Sequence, residues 1–139
     1  MRVAVLTVSD AGARTSRADT SGDAIAQWMS SRGYALAARA LVPDETLAIT
    51  RTLIEWADGG RADLILTTGG TGLTPRDLTP EATRAALDRE APGIAEALRA
   101  GALPRFLRAA LSRGLAGVRG KTLIINLPGS PGGVADGLQ

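Results

Sequence analysis

The stretch from Leu64 to Asp77, LILTTGGTGLTPRD, constrains this chain more than any other. An apolar strand runs into a glycine-rich turn and then into a polar loop that ends in a carboxylate. The next residues, Thr79-Pro80-Glu81, open a helix. Thr79 can cap it, Pro80 suits its first helical position, and Glu81 favours the positive end of its dipole. A strand, a small-residue loop and a helix N-terminus together present backbone N–H groups to an anion. Gly69-Gly70-Thr71-Gly72 lacks the Gly-Lys-Ser/Thr of a P-loop and the third glycine of a dinucleotide fingerprint. Taken alone, it could be no more than a tight turn that needs positive φ. The longer run to Thr83 carries far more threonine, together with Arg76 and Asp77, than a structural turn requires.

The flanking sequence predicts what surrounds this loop. Arg2 to Val8 is a nearly continuous apolar run, the pattern of a strand covered on both faces of a parallel sheet. The stretch from Asp10 to Thr20 reads as a polar loop, with Thr20 available to cap a helix that stops at Gly33. Tyr34 to Val42 reads as a second strand. Pro43-Asp44-Glu45 turns into a second helix, striped by Ile49, Leu53, Trp56 and Ala57 and ended by Gly59-Gly60. Asp63 to Thr67 is the third strand. Pro80 to Arg89 is helical, Pro92-Gly93 breaks it, and Ile94 to Ala100 is helical again, while Leu103 to Ala110 is either a helical turn or an irregular crossover. Ser112 to Gly117 and Gly120 to Leu127 read as two strands of a hairpin.

This alternation predicts a three-layer α/β/α sandwich around a mostly parallel, mixed sheet. The 139 residues suit a single domain. Ligands of such sheets collect beyond the carboxyl ends of the strands. Three loops leave strands there: Ser9-Asp10, Gly69 to Asp77, and Pro128 to Gly133. The chain stops at Gln139, short of a full final helix, so that helix reads as truncated.

Composition narrows the chemistry. There is no cysteine and no histidine, which removes thiolate ligation and the usual general base. Metal binding then falls to oxygen ligands, which suit magnesium or calcium rather than zinc. The pI near 9.9 reflects a net charge of only +2 with almost nothing titrating between the carboxylates and Tyr34 or Lys121. The arginines are scattered and aromatics make up 3%, too few for stacking on nucleic acid. No run approaches a membrane span, and the short Val3–Val8 run is not a signal-peptide core. The expectation is a cytoplasmic protein that binds neither nucleic acid nor membrane.

Asp77 could close the turn after Pro75-Arg76. It could also stand at the rim of an anion cradle, where a magnesium ion would reconcile it with phosphate. Asp44 could cap the helix from Glu45 or serve the site. Arg76 could neutralise phosphate or pair with a nearby acid.

Taken together, several segments resemble the molybdenum-cofactor biosynthesis proteins of the MogA and MoaB family and the G domain of gephyrin. They are Ser9-Asp10 with Gly12, Asp19 and Gly22; PDE at 43–45; TTGGTGLTPRDLTPEAT at 67–83; and LIINLPGSPGG at 123–133. The resemblance spans nearly the whole chain. It implies a three-layer fold, a homotrimer and a MoeA-type metal-inserting partner. In its MogA branch it implies transfer of AMP from Mg-ATP to molybdopterin with release of pyrophosphate; in its MoaB branch, molybdopterin binding whose catalysis is less defined. Carried to matching positions, it makes Asp44 and Asp77 catalytic and magnesium-binding carboxylates. It assigns ATP and molybdopterin to Ser9, Asp10, Thr68, Gly69, Gly70, Thr71, Gly72, Arg76, Thr79, Pro80 and Glu81, and to Asn126, Pro128, Gly129, Ser130, Gly132 and Gly133 in the second loop.

Overall fold

The computed structural model describes residues 1–15 and 19–128. The order of elements is β1 (Arg2–Val8), α1 (Asp10–Thr15), α2 (Thr20–Ser31), β2 (Ala35–Val42), α3 (Thr46–Asp58), β3 (Leu64–Thr68), α4 (Thr79–Ala86), β4 (Arg89–Glu90), α5 (Pro92–Ala102), a 3-10 turn (Leu107–Leu111), β5 (Ala116–Arg119) and β6 (Thr122–Leu127). Six strands form one sheet in the order β2-β1-β3-β6-β5-β4. The first four are mutually parallel, and β5 and β4 extend the sheet antiparallel.

Alternation along β1 separates two cores. Ala4, Leu6 and Val8 face Ile49, Leu53 and Trp56 of α3 and Ala82 and Ala86 of α4. Val3 and Val5 face Ile25 and Met29 of α2, with Leu98 of α5 beside them. Helices therefore cover both faces, and the three-layer mixed-sheet expectation holds. From β1 the chain crosses one face to β2, then returns over the other face to β3 on β1's far side. The order thus reverses at β1, and the carboxyl ends of β1 and β3 diverge into a crevice.

Several local readings change. The helix expected from Pro80 to Arg89 ends at Ala86, and Arg89 lies in strand β4. Asp10–Thr15 is a helix rather than loop: the Ser9 hydroxyl oxygen accepts the Gly12 N–H at 3.0 Å, a side-chain cap. Helix α2 is capped by Asp19, whose carboxylate accepts the Gly22 N–H at 3.0 Å, and not by Thr20. Helix α5 starts at Pro92 itself, where a missing N–H costs nothing. The second-half hairpin pairs Ala116–Arg119 with Thr122–Leu127 across Gly120 at φ 57°, later than the Ser112 start expected for its first strand. The expected final helix lies outside the described residues. Among those described, no helix is long and apolar enough to cross a membrane.

Candidate active site

The crevice at the ends of β1, β2 and β3 is an open cleft of about 360 Å³, with Ser9, Asp19, Asp44, Thr68, Gly69, Gly70 and Asp77 among its walls. Its floor is the glycine turn. Gly69 and Gly70 take φ of 97° and 69°, both left-handed, so the turn reading of these glycines is correct as far as it goes. The turn also packs closely. A Cβ at 69 would overlap the Val8 carbonyl oxygen, and one at 70 would overlap Thr79 Oγ1 and lie 3.0 Å from Asp44 Oδ1. These glycines bring the backbone of β3's end against β1 and leave the cradle open beside Asp44.

Asp44 is half-buried on the loop after β2. It does not cap α3, whose cap residue Glu45 makes no side-chain cap bond. Its Oδ2 accepts the Asp10 N–H at 2.8 Å, while the Asp44 N–H donates to Asp10 Oδ1 at 2.9 Å. This reciprocal pair ties the β1 and β2 loops together. Burial pushes the Asp44 carboxyl above the ordinary aspartate range; the Asp10 N–H opposes this, the charges of Asp10 and Asp77 add to it, and Arg76 opposes it again. Arg76 is committed to Asp10 through two parallel bonds of 2.9 Å from Nε and Nη2. The pairing reading of Arg76 is the one observed. Asp10 and Arg76 line an adjoining groove with Pro43 and Glu45 rather than the cleft itself.

Asp77 closes a turn and also reaches the cleft. Its Oδ2 accepts the Thr74 N–H at 2.9 Å and the Thr74 hydroxyl at 2.8 Å. The same oxygen would lie 2.8 Å from a Cβ at Gly72.

Several other expected ligand residues are bonded into the scaffold. Thr79 and Pro80 are buried; Thr79 is not the α4 cap but donates its hydroxyl to the Gly69 carbonyl at 2.9 Å, beneath the turn. The Thr68 hydroxyl donates to the Pro128 carbonyl at 2.6 Å, joining the two strand-end loops. Asn126 is buried, donating to Thr67 Oγ1 at 2.9 Å and Thr83 Oγ1 at 3.0 Å and accepting the Leu115 N–H at 3.0 Å. These bonds engage both amide N–H groups and the carbonyl oxygen, and tie Asn126 into the scaffold between β3, β6 and α4. Glu81 faces Arg113, with Nη1 at 2.6 Å from Oε2, and this pairing holds its carboxyl below the usual glutamate range. Thr71, Gly72 and Pro128 open instead onto an apolar cleft of about 380 Å³ on the far side of the loop, walled by Leu73, Phe106 and Leu111. Gly129, Ser130, Gly132 and Gly133 lie outside the described residues.

Two residues of the cleft's surroundings were missing from the expected set. Asp19 accepts the Thr7 hydroxyl at 2.7 Å and pairs with Arg39 at 3.1 Å; its S/T/D-type cap position was a usable signal. Arg113 stands 36 residues from Asp77 and donates to its carbonyl. No local pattern marks it.

A doubly covered, mostly parallel sheet with a glycine turn and two half-buried carboxylates at its topological switch point defines an α/β domain whose ligand cleft lies at the carboxyl ends of its strands. Comparison with known proteins makes this specific. The family model described as "Probable molybdopterin binding domain" matches residues 4–139. The chain is 38% identical over 142 residues to the molybdopterin adenylyltransferase of Escherichia coli K12, covering all of this chain and 72% of that protein. It is 42% identical to the molybdenum cofactor synthesis protein cinnamon of Drosophila melanogaster, over 97% of this chain but only 23% of that longer protein. The crystal structure of the molybdopterin biosynthesis enzyme MoaB from Thermus thermophilus superposes with a TM-score of 0.92 at 56% identity, covering 99% of this chain and 86% of that one. The chain belongs to the molybdopterin-binding domain family of molybdenum-cofactor biosynthesis proteins, as its motifs implied.

Proposed function

We propose that this protein is a molybdopterin adenylyltransferase, transferring AMP from Mg-ATP to the phosphate of molybdopterin and releasing pyrophosphate. The observation that carries the reading is the pairing of Asp44 and Asp77 on either side of the Gly69–Gly72 cradle in one cleft. Relatives that carry the adenylyltransferase name match over the whole chain. Two carboxylates without histidine or cysteine are the donor set that magnesium accepts alongside phosphate oxygens and water. Asp44 and Asp77 would hold it, with Asp10 held back by Arg76. Bound there, the ion would supply neutralisation of phosphate charge.

The chain's own contribution is positioning. A terminal phosphate oxygen of molybdopterin is already ionised, so its attack on the α-phosphorus needs no general base. A new oxygen–phosphorus bond forms, the α–β bridging bond breaks, and pyrophosphate leaves with the electron pair. Bringing two anions into line is the main barrier; the loop N–H groups would address it directly, and Asp44 and Asp77 only by holding the magnesium ion that neutralises phosphate charge. The reading extends to a homotrimer, to exchange with a MoeA-type metal-inserting partner, and to a cytoplasmic site of action. The exposed apolar side chains Leu73, Phe106, Leu107 and Leu111 offer surface for such contacts.

A MoaB-like, non-catalytic molybdopterin-binding role is the second reading, favoured by the 56% identity to the Thermus MoaB. Pyrophosphate release in the presence of Mg-ATP, with and without molybdopterin, separates the two. Release that depends on molybdopterin supports the enzyme. Molybdopterin binding with no release selects the binding role.

A further inference from the structure

Arg113 lies between the 3-10 turn and β5, outside the cleft, yet its guanidinium is divided between the cradle loop and the first turn of the helix that follows it. Nε donates to the Gly72 carbonyl at 2.8 Å and Nη2 to the Asp77 carbonyl at 2.7 Å. Nη1 and Nη2 grip the Glu81 carboxylate at 2.6 and 3.2 Å. The Arg113 N–H also donates to the Thr71 carbonyl at 2.9 Å. One residue thus holds the loop near its start, at its end, and at the first turn of the helix that follows. The side chain is 35% exposed and its ionic partner Glu81 45%, so charge pairing alone is worth little. The geometry is what distinguishes it. Exposed arginines that merely solvate a surface do not converge on two loop carbonyls and one carboxylate. The carbonyls clamped at 72 and 77 bracket the loop whose last side chain, Asp77, reaches the cleft. Thr74, which holds that carboxylate, lies inside the same bracket.

We propose that Arg113 is a positioning residue for the chemical step, setting the Asp77 carboxylate at the lip of the cleft by fixing the Thr71–Asp77 backbone. Its kinetic consequence rests on the adenylyl-transfer reading; its structural consequence does not. A lysine cannot replace the fork, because one compact ammonium can satisfy Glu81 but not both carbonyls in the same geometry.

The test compares Arg113→Ala and Arg113→Lys in the full chain. In single-turnover pyrophosphate release, both variants should lose roughly 30- to 100-fold in rate, the scale of a misplacement near 1 Å. Dissociation constants for ATP and molybdopterin should stay within about threefold, since the interaction lost is one felt in the transition state. Combined with Asp77→Asn, Arg113→Ala should cost less than about threefold further, because it acts through that carboxylate. Independently of turnover, amide exchange at Thr74 and Asp77 should quicken by about tenfold in both variants while β3 stays protected. Full additivity with Asp77→Asn, or unchanged exchange at Thr74 and Asp77, overturns the proposal. So does acceleration spread evenly over the chain, which would mark a residue of general stability. Should the wild type release no pyrophosphate, the adenylyl-transfer reading fails, and the exchange measurement still decides the clamp.

Discussion

Replacing Gly69 by alanine should damage this protein through a contact that Gly33 does not share. Both glycines are left-handed, at φ 97° and 73°, so either alanine pays the conformational penalty, about 1–2 kcal/mol. Either substitution also stiffens the unfolded chain to a similar degree, and that gain, about 0.4–1 kcal/mol, cancels in the comparison. What differs is space. A Cβ at 33 meets nothing within 4 Å, whereas one at 69 runs into the Val8 carbonyl oxygen. That oxygen belongs to the last residue of β1, pinned between β2 and β3, so relief requires moving sheet backbone. Overpacking of this kind costs about 1–3 kcal/mol. Urea unfolding of the two variants should therefore separate them by about 1–3 kcal/mol, with Gly69→Ala the weaker. Pyrophosphate release should fall with Gly69→Ala and hold with Gly33→Ala. Equal destabilisation of the two would mean that the close approach of the turn to β1 is not a constraint, and the reasoning fails.

Two further outcomes follow from the buried network and from the Arg113 pair. Asn126→Ala leaves the buried Leu115 N–H without its acceptor and should cost about 1–3 kcal/mol in unfolding, with ATP and molybdopterin affinity unchanged by titration; lost affinity at unchanged stability would make Asn126 a ligand residue instead. Glu81→Gln concerns pH. Because Arg113 lowers the folded-state value of Glu81, the carboxylate's stabilisation is present above its unfolded value of about 4.3 and lost as pH falls through the folded value. Wild type should exceed Glu81→Gln by about 0.5–1 kcal/mol at pH 7, and the gap should close in acid below the unfolded value; a gap that widens there contradicts the pairing.

The sheet was legible because its evidence is local. Val3 to Val8 and Leu123 to Leu127 declare buried strands by their own side chains, and the β-α alternation dictates the layers. The switch-point rule then put the cleft at Ser9 and Gly69 without any contact being known. Short elements escaped: β4 has two residues, too few for any periodicity, and α1 was read as loop although Ser9-Asp10 carried a cap signal. The site divided along the same line. Asp77 stood out because a carboxylate in a glycine-rich loop needs a reason, whereas Asp44, in a separate turn, was singled out by the family resemblance and comes beside the cradle only in the fold. The division of labour around them did not stand out, because it depends on pairings far apart in the chain. Asp10 with Asp44 and Arg76, Glu81 with Arg113, and Asn126 with Thr67 and Thr83 each join different elements. A motif shows which residues gather at a loop; it does not show which of them hold the loop and which face the ligand.

The most direct test of the central claim is a single-turnover measurement on Asp77→Asn, the near-isosteric loss of one charge at the cleft's lip. With Mg-ATP and molybdopterin supplied together, the rate of pyrophosphate release should drop by about 100-fold or more, while ATP and molybdopterin still bind. Release at the wild-type rate would contradict the role given to this carboxylate and, with it, the account of the cleft as a site for adenylyl transfer.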